Sequence, residues 1–276
     1  MLELDWFGAM RRAVGAQKAL FEAEPTIVGR TVYEGVGEGG DHALVLDRRC
    51  EDIVFAELER LHAESSADFV AISEERGEVA FGDPASAWRV VIDPIDGSMN
   101  TRRTIPAHAL SVAIASGPAM ADVELGFVHE FGANEEFTAR RGQGAKLDGR
   151  PLGTESLPYG LEVVGIESAE PARIAPVIEA LAGSAYRVRV IGSIAVTLCY
   201  VAAGRLDGML SARACRSVDA AAAQLVVTEA GGEVAFAGYE LETASLDLDA
   251  RYPVLAGRDG ELLESVRAAQ GHSPDA

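Results

Sequence analysis

The run Trp88-Arg89-Val90-Val91-Ile92 and the six residues after it, Asp93-Pro94-Ile95-Asp96-Gly97-Ser98, constrain this chain more than any other stretch. An apolar run of this length before turn residues predicts a buried strand. Two carboxylates three positions apart stand where that strand ends. Pro94 biases Asp93 away from helical geometry and stiffens the turn. Gly97 permits close approach of a ligand, and the amides of Gly97 and Ser98 can receive phosphate oxygens. Asp93, Asp96 and the carbonyl of Ile95 are hard oxygen donors of the kind Mg²⁺ prefers. The same residues also suit an ordinary turn in which the aspartates cap backbone amides. In isolation the ordinary turn is the better reading, so the rest of the chain has to decide.

Composition narrows the classes. The chain has 276 residues, 24 basic against 43 acidic, for a net charge of −19. Nucleic acid is a poor general partner for such a surface, because backbone binding needs positive charge. The acidity also repels a phosphorylated substrate at long range, so metal ions or local arginines must reverse the field at any anion site. Lysine occurs only at positions 18 and 146, leaving arginine as the main cation. Cys50, Cys199 and Cys215 are odd in number and widely spaced, which argues against a disulfide framework or a zinc site and for reduced thiols in a cytoplasm. The start of the chain, Met1 to Asp5, lacks the pattern of a signal peptide. The longest apolar run, Ile194 to Ala203, is about half the ~20 residues of a membrane span. No membrane association is expected.

The periodicities predict an amphipathic helix over 2–23, with Leu4, Phe7, Val14, Ala19 and Leu20 on its apolar face. A glycine-rich turn over 35–40 follows, then a short strand 44–46 ending at Asp47 and a helix to about Leu61. Strands are expected at 69–72, 108–116 and 123–131, with a glycine-turned hairpin over 137–152. The second half alternates: strands 163–166, 187–191, 207–210, 234–236 and 253–256, and helices 171–182, 192–204, 220–230 and 260–270. This predicts one domain over 1–270. Its strand-rich half, 1–155, carries the main carboxylate turn, its alternating half, 156–270, carries Asp219, and a disordered tail spans 271–276.

Other acidic residues stand at similar places. Glu74 and Glu75 end the predicted strand 69–72, and a neighbouring strand would bring them to Asp93. For Glu75 a solvated acidic turn is the simpler reading. Asp219 precedes four alanines, where an N-cap accounts for it, and a helix N-terminus also favours a metal-ligating carboxylate. Asp47 has only its position at a strand end to recommend it.

Together these residues resemble the inositol monophosphatase family, within the fructose-bisphosphatase-like superfamily. The resemblance runs through Ser73-Glu74-Glu75, Val91 to Asn100, Gly142-Gln143-Gly144-Ala145, Gly192-Ser193, and Val218-Asp219-Ala220-Ala221 with Glu229-Ala230-Gly231-Gly232. It implies an α/β fold, layered as an α/β/α/β/α sandwich and usually dimeric. It implies that Glu74, Asp93, the Ile95 carbonyl, Asp96 and Asp219 bind two or three Mg²⁺ ions. It also implies that Asp47 and Ser98 hold or activate the attacking water, with Glu74 beside them, and that the Gly97 and Ser98 amides take the phosphate. The reaction would be direct hydrolysis of a small phosphorylated substrate by metal-activated water.

Two departures bear on the substrate. In animal-type inositol enzymes a Glu seven residues before the last metal Asp contacts the inositol ring. Here that residue is Ala212, and Val218 stands where those enzymes have Trp. Arg213 and Arg216 flank the site in a segment similar to the archaeal-type branch, whose members often hydrolyse both inositol monophosphate and fructose 1,6-bisphosphate. Arginine suits a second phosphate through bidentate contacts. Arg102 and Arg103, just past the carboxylate turn, are further candidates. A 3′(2′),5′-bisphosphate nucleotidase, a histidinol-phosphate phosphatase, or a non-catalytic phosphate binder remain as alternatives.

Overall fold

The computed structural model describes residues 1–36, 42–153 and 160–274. Two sheets are stacked between three helical layers, so the α/β/α/β/α expectation holds. Helix α1 (Trp6–Ala23) is capped by Asp5, which accepts from Gly8 N at 3.0 Å. Its buried face carries Trp6, Met10, Ala13, Val14 and Leu20; Ala19, expected there, is exposed. After the short α2 (Ile27–Arg30) come β1 (Tyr33–Val36) and β2 (His42–Leu44), an antiparallel pair. The glycine-rich turn lies outside the described residues over 37–41, while Gly35 and Val36 belong to β1. The predicted strand 44–46 is corrected: β2 stops at Leu44 and α3 (Val45–Ser65) begins at once.

The larger sheet is built from β3 (Phe69–Ser73), β4 (Gly77–Phe81), β5 (Arg89–Asp96), α4 (Ser98–Arg102) as a one-turn connection, β6 (Ala109–Ala115), β7 (Val123–Glu130), β8 (Glu135–Arg140), β9 (Gly144–Leu147) and β10 (Arg150–Pro151). The strand order is β10-β9-β8-β7-β6-β5-β3-β4, and only β3 and β5 run parallel. Alternation along β5 sends Val90 and Ile92 to the α1/α3 face, where Phe55, Leu58 and Phe69 pack, and Val91 to the opposite face.

The second sheet has the order β12-β11-β13-β17-β15, from β11 (Leu161–Glu167), β12 (Ala185–Arg189), β13 (Gly208–Ser211), β15 (Glu233–Phe236) and β17 (Val254–Gly257). A small ladder joins β14 (Cys215–Arg216) to β16 (Arg251–Tyr252). Helices α5 (Pro171–Leu181) and α8 (Gly260–Gln270) cover its outer face through Val177, Leu181, Leu262 and Val266. Helices α6 (Ile194–Ala202) and α7 (Ser217–Glu229) fill the space between the sheets. Ala220 to Ala223 are fully buried, as expected of a helix with apolar surface on both sides. Small residues let α7 lie close: a Cβ on Gly126 of β7 would meet the Ala222 carbonyl at 2.6 Å. Gly126→Ala is therefore expected to cost about 1–3 kcal/mol through overpacking, read as a lower denaturation midpoint. An unchanged midpoint would contradict this packing.

The tail is also corrected. Gly271, His272 and Pro274 are exposed, but Ser273 is buried and its hydroxyl donates to the Ala212 carbonyl at 2.5 Å. Residues 275–276 lie outside the described residues.

Candidate active site

Strand pairing brings the first two acidic clusters together. In the parallel β3–β5 pair Ser73 stands opposite Ile92, so Glu74 follows beside Asp93. On the other side, Asp93 pairs with Ser111 and Asp96 with Ala109, leaving Pro94 and Ile95 opposite Leu110 alone. This is a β-bulge, and Pro94, which has no N–H for the ladder, is the residue type that tolerates one. The bulge breaks strict alternation and turns both aspartates into the same cleft.

Gly97 then reverses the chain at φ +95° to start α4. A side chain there would approach the Ala107 carbonyl at 3.0 Å and the Gly192 carbonyl at 3.2 Å, so the position requires glycine on both counts. Asn100 fastens this turn to the second half, its amide donating to the carbonyls of Ala107 (2.7 Å) and Ile191 (2.8 Å). Ile191 and Gly192 in turn donate to buried Glu167 at 3.0 and 2.9 Å.

The cleft has a volume of about 510 Å³. Asp47, Glu74, Glu75, Asp93, Asp96 and Asp219 line it, with Ile95, Gly97 and Ser98; Arg102 and Arg216 supply its cations. Asp47 reaches it from the first turn of α3 rather than from a strand end. Asp219 arrives at the third position of α7, not as its N-cap, and accepts from Arg216 N at 3.0 Å. The helix starts three residues earlier than the alanine run suggests, at Ser217. Asp93 accepts from Ile95 N at 3.0 Å, so the ordinary turn capping is present as well. Asp96 is held by the Ser193 hydroxyl at 2.5 Å and Ala195 N at 2.6 Å. Ser98 donates to the Ile95 carbonyl at 3.0 Å.

Burial raises these carboxyls. It pushes Asp93 well above the usual range, with the charges of Asp96, Asp219 and Glu74 adding to it. Burial lifts Asp219 to about 8, reinforced by Asp96 and Glu74 and opposed by Arg216. Asp96 is pushed up to about 7, mainly by burial against the opposing hydrogen bonds of Ser193 and Ala195. Asp47 also rises to about 7 through burial and the charges of Glu75 and Glu74, while its hydrogen bond with Ser98 opposes. Glu75 rises to about 7 by burial beside Glu74 and Glu51. The solvated-turn reading of Glu75 is therefore corrected: its side chain is only 8% exposed, beside Glu74 and Glu51 and 3.8 Å from Arg48.

The arginines are distributed differently from the expectation. Arg216 is ion-paired with Glu74 and lies at the junction of the cleft with a second chamber of about 790 Å³. Arg213 lines only that chamber and pairs with Glu170 at 3.8 Å. Arg103 is exposed and outside both linings, which corrects its assignment; Arg102, one step around α4, points into the cleft and bonds the Tyr33 hydroxyl. Ala212 is fully buried and touches neither lining. Sequence reasoning also missed Arg251, in the second chamber beside Arg216 across the β14–β16 ladder. Glu167 was missed too, because its only sequence signal was the end of an apolar strand.

The donor set fits hard divalent cations. It is all oxygen, it concentrates negative charge, and Asp47 Oδ1 is buried with no hydrogen-bond partner. Among the described residues no three acidic, His or Cys side chains already form a closed ligand cluster. The physical reason is visible in the contacts: backbone amides, Ser193 and Arg216 occupy the oxygens that would have to converge.

The fold and an acid-lined cleft between β5, α3, α4 and α7 fit a metal-dependent phosphatase. The chain belongs to the inositol monophosphatase family, whose family model matches residues 6–272. A fructose-1,6-bisphosphatase/inositol-1-monophosphatase of Thermococcus kodakarensis is 33% identical over 99% of this chain and 100% of its own length. The Nus factor SuhB of Escherichia coli K12 is 32% identical over 70% of this chain and 71% of its own. Among solved structures, an inositol monophosphatase-fructose 1,6 bisphosphatase superposes with a TM-score of 0.81 at 25% identity, covering 96% of this chain and 99% of that one. No helix among the described residues is long and apolar enough to cross a membrane.

Proposed function

We propose that this chain is a Mg²⁺-dependent phosphomonoesterase that hydrolyses fructose 1,6-bisphosphate, inositol 1-phosphate or both. The observation that carries the reading is the convergence of six carboxylates from the turn after β3 and from β5, α3 and α7 on one cleft. Such a concentration of buried negative charge is costly unless cations neutralise it. Glu74, Asp93, the Ile95 carbonyl, Asp96 and Asp219 would hold two or three ions. When bound, these ions neutralise the phosphate and acidify water. Asp47 offers a buried Oδ1 with no hydrogen-bond partner to accept the proton of an attacking water, with Ser98 beside it in the cleft. The Gly97 and Ser98 amides, at the start of α4, would receive phosphate oxygens. Because no Ser or Cys nucleophile is required, the displacement would be direct and in line.

Two supports favour a substrate with a second anionic group: the arginines of the adjoining chamber, and the full-length match to a bifunctional archaeal relative. We also propose a homodimer in a cytoplasm, following the family pattern. A net charge of −19 argues against nucleic acid as a partner, despite the Nus factor relatives.

A phosphate-release panel tests the substrate. Fructose 1,6-bisphosphate and inositol 1-phosphate should both turn over with Mg²⁺, ahead of adenosine 3′,5′-bisphosphate and histidinol phosphate. Preference for either of the last two would replace the substrate assignment. No release from any of them would favour a phosphate-binding protein without catalysis.

A further inference from the structure

We infer that Glu167 is a positioning residue for the reaction: it fixes the 191–195 turn and, through that turn, the orientation of Asp96 and the start of α4. The inference rests on the proposed reading of Asp96 as a cation ligand.

Glu167 ends β11 and lines neither the cleft nor the second chamber, so its part is indirect. It is 2% exposed, and a carboxyl so deeply buried is costly unless it is hydrogen-bonded. Both of its oxygens are engaged by the turn. Oε1 accepts from Ile191 N at 3.0 Å and Oε2 from Gly192 N at 2.9 Å. The Thr197 hydroxyl, in the first turn of α6, lies 2.6 Å from Oε1. The chain on both sides of Ser193 is thus tied to one carboxyl group.

What the turn holds is Asp96. The Ser193 hydroxyl and Ala195 N both donate to Asp96 Oδ2, at 2.5 and 2.6 Å. Asp96 stands on β5 of the larger sheet, whereas the turn and Glu167 belong to the second half of the chain. Its carboxylate is therefore set by a contact between halves and not by its own strand alone. The same turn packs on α4. The Ile191 carbonyl accepts from the Asn100 amide at 2.8 Å, and a Cβ on Gly192, at φ +86°, would meet that amide at 2.8 Å. A displacement of the turn consequently moves Asp96 and the start of α4 together. Partners that hold a ligand carboxylate from behind commonly govern metal affinity.

Calorimetric titration of the full chain with Mn²⁺ alone is the test. Glu167→Gln keeps the volume but leaves one acceptor oxygen and sets an NH₂ group against a turn N–H. It should bind Mn²⁺ about tenfold more weakly than the wild type. Asp207→Asn is the structural control: it disturbs the buried Asp207–Arg258 pair away from the cleft. It should lower the melting temperature and leave Mn²⁺ affinity within about twofold. Unchanged Mn²⁺ affinity in folded Glu167→Gln, or an equal loss in Asp207→Asn, overturns the positioning role. Loss of a nearby negative charge also weakens cation binding, so the route is read in a Ser193→Ala background. Action through the turn predicts non-additivity, with Glu167→Gln costing less than about threefold there. An equal factor in both backgrounds overturns that route. If Glu167→Gln does not melt cooperatively, amide hydrogen exchange of the wild type decides. Mn²⁺ should slow exchange over 191–195 by about tenfold and over α5 by less than about twofold, and equal effects on both overturn the linkage. Absence of Mn²⁺ binding by the wild type overturns the metal reading and this inference with it, whereas every other outcome leaves the metal reading standing.

Discussion

Asp96→Asn is expected to reduce phosphate release by at least about a thousandfold, equivalent to about 4 kcal/mol of transition-state stabilisation. The same variant should melt at a higher temperature than the wild type when both are metal-free. The two effects have one origin. Asp96 is buried, and its carboxyl is raised to about 7 by burial, with Glu167 adding to it. An amide at this position removes a charge that the metal-free fold tolerates poorly. It can still accept from Ser193 and Ala195 through its carbonyl oxygen, so the contact that fixes the 191–195 turn survives. What it loses is a hard anionic ligand. Phosphate release under saturating Mg²⁺ and a thermal melt in chelator provide the two readouts. Activity within about tenfold of wild type would remove Asp96 from the metal site.

Metal-free protein is expected to lose stability as pH rises from about 5.5 to about 8, by about 10 °C or more in melting temperature, and Mg²⁺ should abolish most of that loss. Asp47, Glu75, Asp96 and Glu167 are raised to about 7, Asp219 to about 8, and Asp93 higher than its usual range, all chiefly by burial. In the unfolded chain such groups have already lost their protons by about pH 5. Between that point and the folded values the native state therefore binds more protons than the unfolded one. Stability is present at the low end of the window and falls as pH rises through it. His108 and His129 act in the opposite direction: burial lowers both to about 4, so they cost stability as pH falls below about 6.5. Six carboxyls against two imidazoles set the net sign. A flat or rising melting profile in chelator would show that the carboxylates are not burdened by burial.

Much of the site was legible in the sequence. The apolar run before Asp93 and the strand before Glu74 are short, hydrophobic and sharply terminated, and local pattern is enough to find both. That they neighbour one another was a guess until the register of β3 on β5 placed Ser73 opposite Ile92. Asp219 was found through the alanine run of α7, although the helix starts at Ser217 and gives the residue a different capping position. Other features depended on the rotation of a helix or on distant pairing. Asp47 lies within α3 because the chain turns helical directly after Leu44, where β-branched and leucine residues suit either state. Arg102 and Arg103 are adjacent in sequence, but about 100° of helical rotation sends one into the cleft and the other to solvent. Glu75 reads as a polar turn residue, and only the proximity of α3, bearing Asp47 and Glu51, buries it among acids.

The sequence by itself determined the layered α/β class, the oxygen-donor chemistry and the phosphatase family. The alternation of strands and helices follows from hydrophobic periodicity, and the oxygen-donor chemistry from carboxylates at strand and helix ends, both of which are local. The layering and the family follow from the resemblance those motifs carry together. Tertiary structure decided that the carboxylates share one cleft and that Arg216 pairs with Glu74. It also decided that Arg251 joins Arg213 in a second chamber. Those relations join residues more than 100 positions apart, such as Glu74 with Arg216. They depend on sheet register and on the close approach of α7 that Gly126 permits, which no local pattern encodes.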